Sequence, residues 1–159
     1  MAVRVQAEDF DVNAEIDALR RGKLNVGAVA VFVGLVRDLN EGDNVSTMSL
    51  EHYSGMTEKS IQAILDEAAR RWSIVDAAVV HRIGELKPAD RIVLVAVASS
   101  HRGEAFAACE FIMDYLKTRA PFWKKEQTPE NSRWVEARAA DDAAAGRWEG
   151  GKRRPGPAR

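Results

Sequence analysis

One cysteine in 159 residues excludes an internal disulfide, so nothing here is stapled. The three histidines, at positions 52, 81 and 101, are too scattered to form the Cys or His pairs of a metal motif, and no metal or other resident cofactor is expected. No apolar run approaches the roughly 20 residues needed to span a bilayer, and the opening MAVRVQAEDF lacks the apolar centre of a signal peptide. The predicted compartment is therefore the cytoplasm. Gly-rich nucleotide loops, Ser-containing elbows and paired catalytic carboxylates are all missing. So is a dominant charge: 23 basic and 24 acidic residues give a net charge of −1, which argues against a general nucleic-acid binder. Five of the basic residues (Arg147, Lys152, Arg153, Arg154 and Arg159) crowd into 147–159, leaving 18 basic against 23 acidic groups in residues 1–146. Any positive cluster in that body stands against an acidic background.

What is present reads as one domain over 1–148 followed by a basic tail, 149–159, whose Gly, Pro and charge content predicts disorder. Periodicity predicts a short strand at 3–7, a polar helix at 12–20, a Val-rich buried strand at 27–36 and an alternating strand at 45–53. A polar turn at 38–44 joins the last two into an expected hairpin. Thr57 is the expected cap of a helix running to about Trp72, with Ile61, Ile64, Leu65 and Ala68 on one face. A strand at 77–83, a turn over GELKPAD at 84–90 and a strand at 91–98 follow. The helix predicted over 103–118 is the most apolar, with Phe106, Cys109, Met113 and Leu116 at helical spacing. Short strands at 121–126 and 133–137 close the domain, and from Ala139 the chain turns polar and Ala-rich. Helices mixed with a mixed or antiparallel sheet indicate an α+β fold.

The chemistry concentrates around the 103–118 helix. Ser99 or Ser100 can cap its start, where unpaired N–H groups and the helix dipole favour an anion. His101 and Arg102 add donors there, and the Arg fork matches phosphate oxygens. Lys117 ends the helix among Tyr115, Leu116, Pro121, Phe122 and Trp123; an amine against apolar walls and near other cations is a better nucleophile or base. Pro121 must turn the chain, carrying Lys124 and Lys125 off the helix line. Strand alternation lets one of the two face a pocket, and Lys124 is the expected inward residue. Glu126 is placed to orient a lysine or bind a ring nitrogen. Arg37 ends the 27–36 strand just after Gly34, where backbone can approach a ligand. Cys109, mid-helix and apolar, reads as a core residue, so sulfur chemistry would need sulfur from elsewhere.

The words EHYSGMTEK at 51–59, HRIGEL at 81–86, SSHRGEAF at 99–106, MDYLKTRAPFWKKE at 113–126 and RWVEAR at 133–138 occur in the order that resembles the catalytic (large) subunit of molybdopterin synthase. The resemblance covers roughly 28–148. It implies an α/β-hammerhead fold, a homodimer, and a two-plus-two assembly with a small ubiquitin-like sulfur carrier that ends in Gly-Gly. The implied reaction moves sulfur from the carrier's C-terminal thiocarboxylate onto cyclic pyranopterin monophosphate, forming the molybdopterin dithiolene. Implied substrate contacts are Leu35, Val36, Arg37, His101, Arg102, Lys117, Lys124, Lys125 and Glu126, with Lys117 and Lys124 catalytic and Arg138 reaching a neighbouring protomer's site. Leu35 departs from the polar or basic residue common there, which points to a backbone contact. Whether Lys117 acts as acid–base or as a covalent nucleophile stays open. The rival class is a non-enzymatic module that holds a phosphorylated ligand or a peptide tail. The chain is not the carrier, because its own Gly150-Gly151 pair is followed by eight residues.

Overall fold

The computed structural model describes residues 1–40, 43–44, 47–127, 132–135 and 139–149, with side chains for 1–38, 47–124 and 140–149. In chain order the elements are β1 (Ala2–Gln6), α1 (Val12–Arg20), β2 (Ala28–Leu35), β3 (Leu39–Asn40), β4 (Asp43–Asn44), β5 (Thr47–His52), α2 (Met56–Arg71), β6 (Asp76–Arg82), β7 (Gly84–Leu86), β8 (Arg91–Ser99), α3 (Arg102–Arg119), β9 (Phe122–Gln127), β10 (Ser132–Val135) and α4 (Ala139–Gly146). The architecture is α+β.

Two four-stranded sheets organise it. The first runs β1-β6-β8-β2, parallel only between β1 and β6. Its central strands are buried on both faces because helices cover both sides, which is why β8 carries an unbroken apolar run. Ala77, Val79, Val93, Val95 and Val97 face α2 and α3; Ala78, Val80, Leu94, Ala96 and Ala98 face α1 through Phe10 and Leu19. The second sheet, β10-β9-β5-β7, is antiparallel throughout. A small core of Val36, Met48, Leu50 and Leu86, with Ile92 against it, joins the two sheets.

The expected hairpin between residues 27–36 and 45–53 does not form. β2 pairs along its whole length with β8, and β5 pairs with β7 and β9. A Val-rich strand wants two covered faces, whereas the alternating β5 wants one, so the two belong to different sheets. A register shift at Gly34/Leu35 ends the β2 ladder, and β3 and β4 pair in the connection. The close approach at Gly34 is not to a ligand: a Cβ there would lie 2.8 Å from Val93 Cγ1. GELKPAD is not wholly a turn either, because Gly84–Leu86 pairs with β5 and Leu86 is buried.

Helix starts also differ from expectation. Gly55 caps α2, and the Glu58 carboxylate accepts from its N–H. Thr57 lies inside the first turn, 0% exposed, with Oγ1 accepting from Tyr53 N (3.1 Å) and donating to Pro121 O (3.0 Å). It ties the start of α2 to the turn after α3. Thr57→Val should therefore cost about 1–3 kcal/mol, since the isostere leaves a buried carbonyl unpaired; urea unfolding showing under about 0.5 kcal/mol would mean that water replaces the bond.

On α3 the buried face is Ala105, Ala108, Cys109, Phe111, Ile112, Tyr115 and Leu116, while Phe106, expected inside, is 54% exposed. Beyond Ala139 the polar reading misses α4, which delivers Trp148 into the main core at 1% exposure. Trp148 meets Trp72 and Phe111 edge-on, its Nε1 donates to Asp114 Oδ2 at 2.7 Å, and Arg71 Nη1 donates to its carbonyl at 2.7 Å. Residues 150–159, which include most of the basic tail, lie outside the described residues. No helix of the described chain is long and apolar enough to cross a membrane.

Candidate active site

The site assembles where the second sheet meets the C-terminal end of α3. β9 and β5 are antiparallel with Phe122 opposite His52 and Lys124 opposite Leu50. Directly opposed residues share a face, and alternation keeps every second residue on it. Phe122 and Lys124 therefore lie on the face that carries buried Met48 and Leu50, with Lys124 partly buried. Lys125 registers with Ser49 on the alternate face, and Glu126 registers with Met48 on the face of Lys124. The side chains of 125 and 126 lie outside the described residues, as does Arg138.

Phe122 stacks on the His81 imidazole, with ring centroids 3.8 Å apart and planes at 19°. His81 Nδ1 is 2.8 Å from the Arg82 carbonyl oxygen, which can only accept, so the proton is on Nδ1 and Nε2 carries the lone pair. Burial pushes this imidazole down to about 4; the Arg82 bond opposes that, and the charges of Lys117 and His52 add to it. His52 is in turn 3.2 Å from Glu58 Oε1. Lys124 lies two residues beyond Phe122 on the same face of β9, and Lys117, exposed at the end of α3, is among the charges acting on His81. His81 reads in sequence as merely structural; what places it here is its register between Val5 and Val93 together with the Phe122 stack.

A pH dependence follows from the lowered His81 value. The unfolded chain takes up the proton near 6.5 and the folded chain only near 4, so His81 favours folding fully above pH 6.5 and loses that contribution as pH falls toward 4. The loss should be about 2–3 kcal/mol after allowing for partial exposure. Asp9 is held below the usual carboxylate range by its Arg91 bond. Asp76, although burial works against it, is held low by Lys23, the Ala77 N–H and the N-terminus; both act at lower pH. Unfolding free energies at pH 7.5 and 4.5 should differ in the native chain and much less in His81→Phe; an equal difference in both would remove His81 as the cause.

The other positive groups sit elsewhere. His101 is the N-cap of α3 without a side-chain cap bond, and Arg102 begins the helix, both exposed. The neighbouring serines do not cap it: Ser99 Oγ donates to Ser73 O (2.7 Å) and Ser100 Oγ to Asn25 O (2.8 Å), pinning the β8 exit to two loops. Gly27 is required beside them, because a Cβ there would lie 2.2 Å from Ser100 O. His101 and Lys117 are separated by nearly the full length of the 18-residue helix, about 24 Å at roughly 1.5 Å per residue. One chain therefore does not bring its α3 start and its lysines together.

Arg37 follows the small inter-sheet core and is exposed. Leu35 is 53% exposed, whereas Val36 is buried beside Leu50, with its N–H given to Asp90 O (2.9 Å) and its carbonyl taken by Ala89 N (2.8 Å). Val36 thus anchors the strand end that carries Arg37 next to the face of Lys124. Cys109 is no nucleophile: burial pushes its thiol up to about 12, and Sγ lies 3.7 Å from Val95 O.

Known proteins share this sequence and fold. The molybdopterin synthase catalytic subunit of Ralstonia nicotianae is 64% identical over 146 residues, 92% of this chain and 83% of that protein. The solved structure of the molybdopterin biosynthesis MoaE protein from Burkholderia ambifaria superposes with a TM-score of 0.80 at 60% identity, covering 93% of this chain and 98% of that one. A Helicobacter pylori complex of subunits 1 and 2 of molybdopterin-converting factor shares the fold, with a TM-score of 0.70 at 20% identity over 86% of this chain and 91% of that one. The model of the MoaE protein family matches residues 5–119. With that match extending over well beyond half its length, the chain belongs to the MoaE protein family.

Proposed function

We propose that this chain is the catalytic subunit of a molybdopterin synthase, working in the cytoplasm. It takes sulfur from the C-terminal thiocarboxylate of a small ubiquitin-like carrier and transfers it to cyclic pyranopterin monophosphate, building the molybdopterin dithiolene without a resident cofactor or metal. The observation that carries the reading is the placement of Lys124 two residues beyond Phe122, the ring that stacks on His81, with Lys117 at the end of the helix that leads into this strand, in a chain whose only thiol is buried and inert. Two amines so placed can polarise a thioester-like carbonyl and shuttle the protons that each sulfur transfer releases. Lys124 is the inward member of its pair, with Lys125 and Glu126 framing the substrate from the same strand.

The anionic end of the substrate calls for His101, Arg102 and Arg37, with Leu35 and Val36 contributing main chain and packing. Because about 24 Å separates the start of α3 from its lysines, a pterin phosphate can touch both only if two protomers share a site. The functional unit in this reading is a homodimer that binds two carriers, with Arg138 reaching across. An extended Gly-Gly tail suits a narrow entry near Arg37 and Lys117, since glycine has no side chain to clash.

The test uses the full chain, cyclic pyranopterin monophosphate and a thiocarboxylated carrier. Product should form with intact carrier, and a carrier lacking its last two glycines should dock yet support no turnover. Synthesis with the truncated carrier would overturn tail insertion, and binding of both carrier and substrate without product would make the chain a binding module.

A further inference from the structure

β2 ends the first sheet, and among the described residues its outer edge meets no strand. Its sequence, AVAVFVGL, holds neither charge nor proline, the devices that keep a bare edge from pairing with other chains. The helix above it adds apolar surface. On α3, Arg102, Phe106, Met113 and Lys117 are spaced by four, seven and four residues and so fall on one side. Another side is turned to α2, where Phe111 meets Trp72 and Arg119 reaches Glu67. The stripe therefore faces away from α2, over the β2 edge, and Phe32 (39% exposed) and Phe106 both stand open on that rim.

The geometry of this rim suits a second copy of the chain. β8 passes through the Ser99–His101 turn directly into α3, so the helix returns antiparallel to β8 and runs along β2. The two match in length, at about 27 Å for 18 helical residues and about 26 Å for eight extended ones. Their middles also coincide: Cys109 Sγ is 3.7 Å from Val95 O, and Val95 is opposite Phe32. A two-fold axis beside Phe32 pairs β2 with its image in antiparallel fashion, and in the same step sets the start of one α3 level with the end of the other. The spacing closes too. α3 lies across β8 and β2 alike, half a strand spacing inside β2, and the axis lies half a spacing outside it. With strands about 4.8 Å apart the two helices come to about 10 Å, the distance at which helices pack.

We propose that the β2 edge and the α3 stripe form the interface between two copies of this chain, β2 pairing with its image into one eight-stranded sheet and Phe106 packing on the partner's Met113. The proposal rests on the two-protomer reading above and supplies the surface on which the protomers meet. Each α3 then serves two sites, its Arg102 end facing the partner's Lys117 and its Lys117 end facing the partner's Arg102. Phe32 and Phe106, open in the single chain, are covered in the pair.

Sedimentation of the full chain at micromolar concentration should give a dimer, and Phe106→Glu should give a monomer with native circular dichroism. Met56→Glu, which charges an exposed apolar group at the start of α2 instead, should stay dimeric. A monomeric native chain, a dimeric Phe106→Glu or a monomeric Met56→Glu overturns the proposal. Cross-linking reads the pairing without turnover. Arg102→Cys and Lys117→Cys chains, co-expressed and isolated through two different tags, should be joined by a bismaleimide reaching about 10 Å, whereas one helix holds the two positions about 22 Å apart. Cys109 is buried and gives no background. Failure to join the tagged chains overturns the antiparallel helix pair.

Turnover supplies the last arm. A heterodimer of Lys117→Ala with Arg102→Ala keeps one site with both native groups, so it should show about half of native turnover, while each parent falls at least about tenfold. Turnover no higher than the parents' overturns the sharing of α3 between sites. A native chain that dimerises and cross-links as described but makes no product would refute the synthase reading and leave the interface standing.

Discussion

Lys117→Ala is expected to reduce dithiolene formation by about 10²–10⁴-fold, the range for removing a positioned acid–base or nucleophilic group. Folding should barely register the change. Lys117 is exposed and lies on the last turn of α3, outside the buried face of Phe111, Ile112, Tyr115 and Leu116, so the unfolding free energy should stay within about 0.5 kcal/mol of native. The measurement is single-turnover product formation with saturating thiocarboxylated carrier, run beside thermal unfolding. Turnover within fivefold of native would remove Lys117 from the chemistry, and a large loss accompanied by unfolding would mean that the residue holds structure instead.

Trp148→Ala should show the opposite signature, with a loss of about 3–5 kcal/mol of stability. Among the described residues Trp148 is the largest fully buried side chain, enclosed edge-on by Trp72 and Phe111. Its removal opens a cavity between α2 and α3 and takes away the Nε1 donor to Asp114. Arg147 also reaches Glu110 and Asp114, so the segment after α4 clamps the second half of α3, one turn before Lys117. Urea unfolding of the full chain measures the effect; a loss below about 1 kcal/mol would mean that the core closes over the gap and the clamp contributes little.

The sequence made the long periodic elements plain and hid those specified by tertiary partners. α1, β6 and β8 emerge close to their predicted bounds because amphipathic or continuous apolar patterns set them locally. β7 is three residues long, too short for any period to show, and only its pairing with β5 makes it a strand. Phe106 and Phe111 both fit an apolar helix, and it takes the position of α2 and Trp148 to bury one and expose the other. Ser99, Ser100 and Thr57 look like caps because their hydroxyls can serve a helix start, yet each is drawn to a carbonyl distant in sequence. At the site, strand alternation made legible the face of β9 that Lys124 shares with Leu50. The His81–Phe122 stack was not legible, because residues 41 positions apart meet only after β9 folds beside β5.

The burial of Cys109 gives the protein a chemical inertness suited to its proposed cargo. A thiocarboxylate is a strong nucleophile that would exchange readily with any accessible disulfide or oxidised thiol. With its single sulfhydryl withdrawn between α3 and β8 and kept protonated, the chain offers no thiolate to peroxide, to alkylating agents or to a stalled sulfur donor.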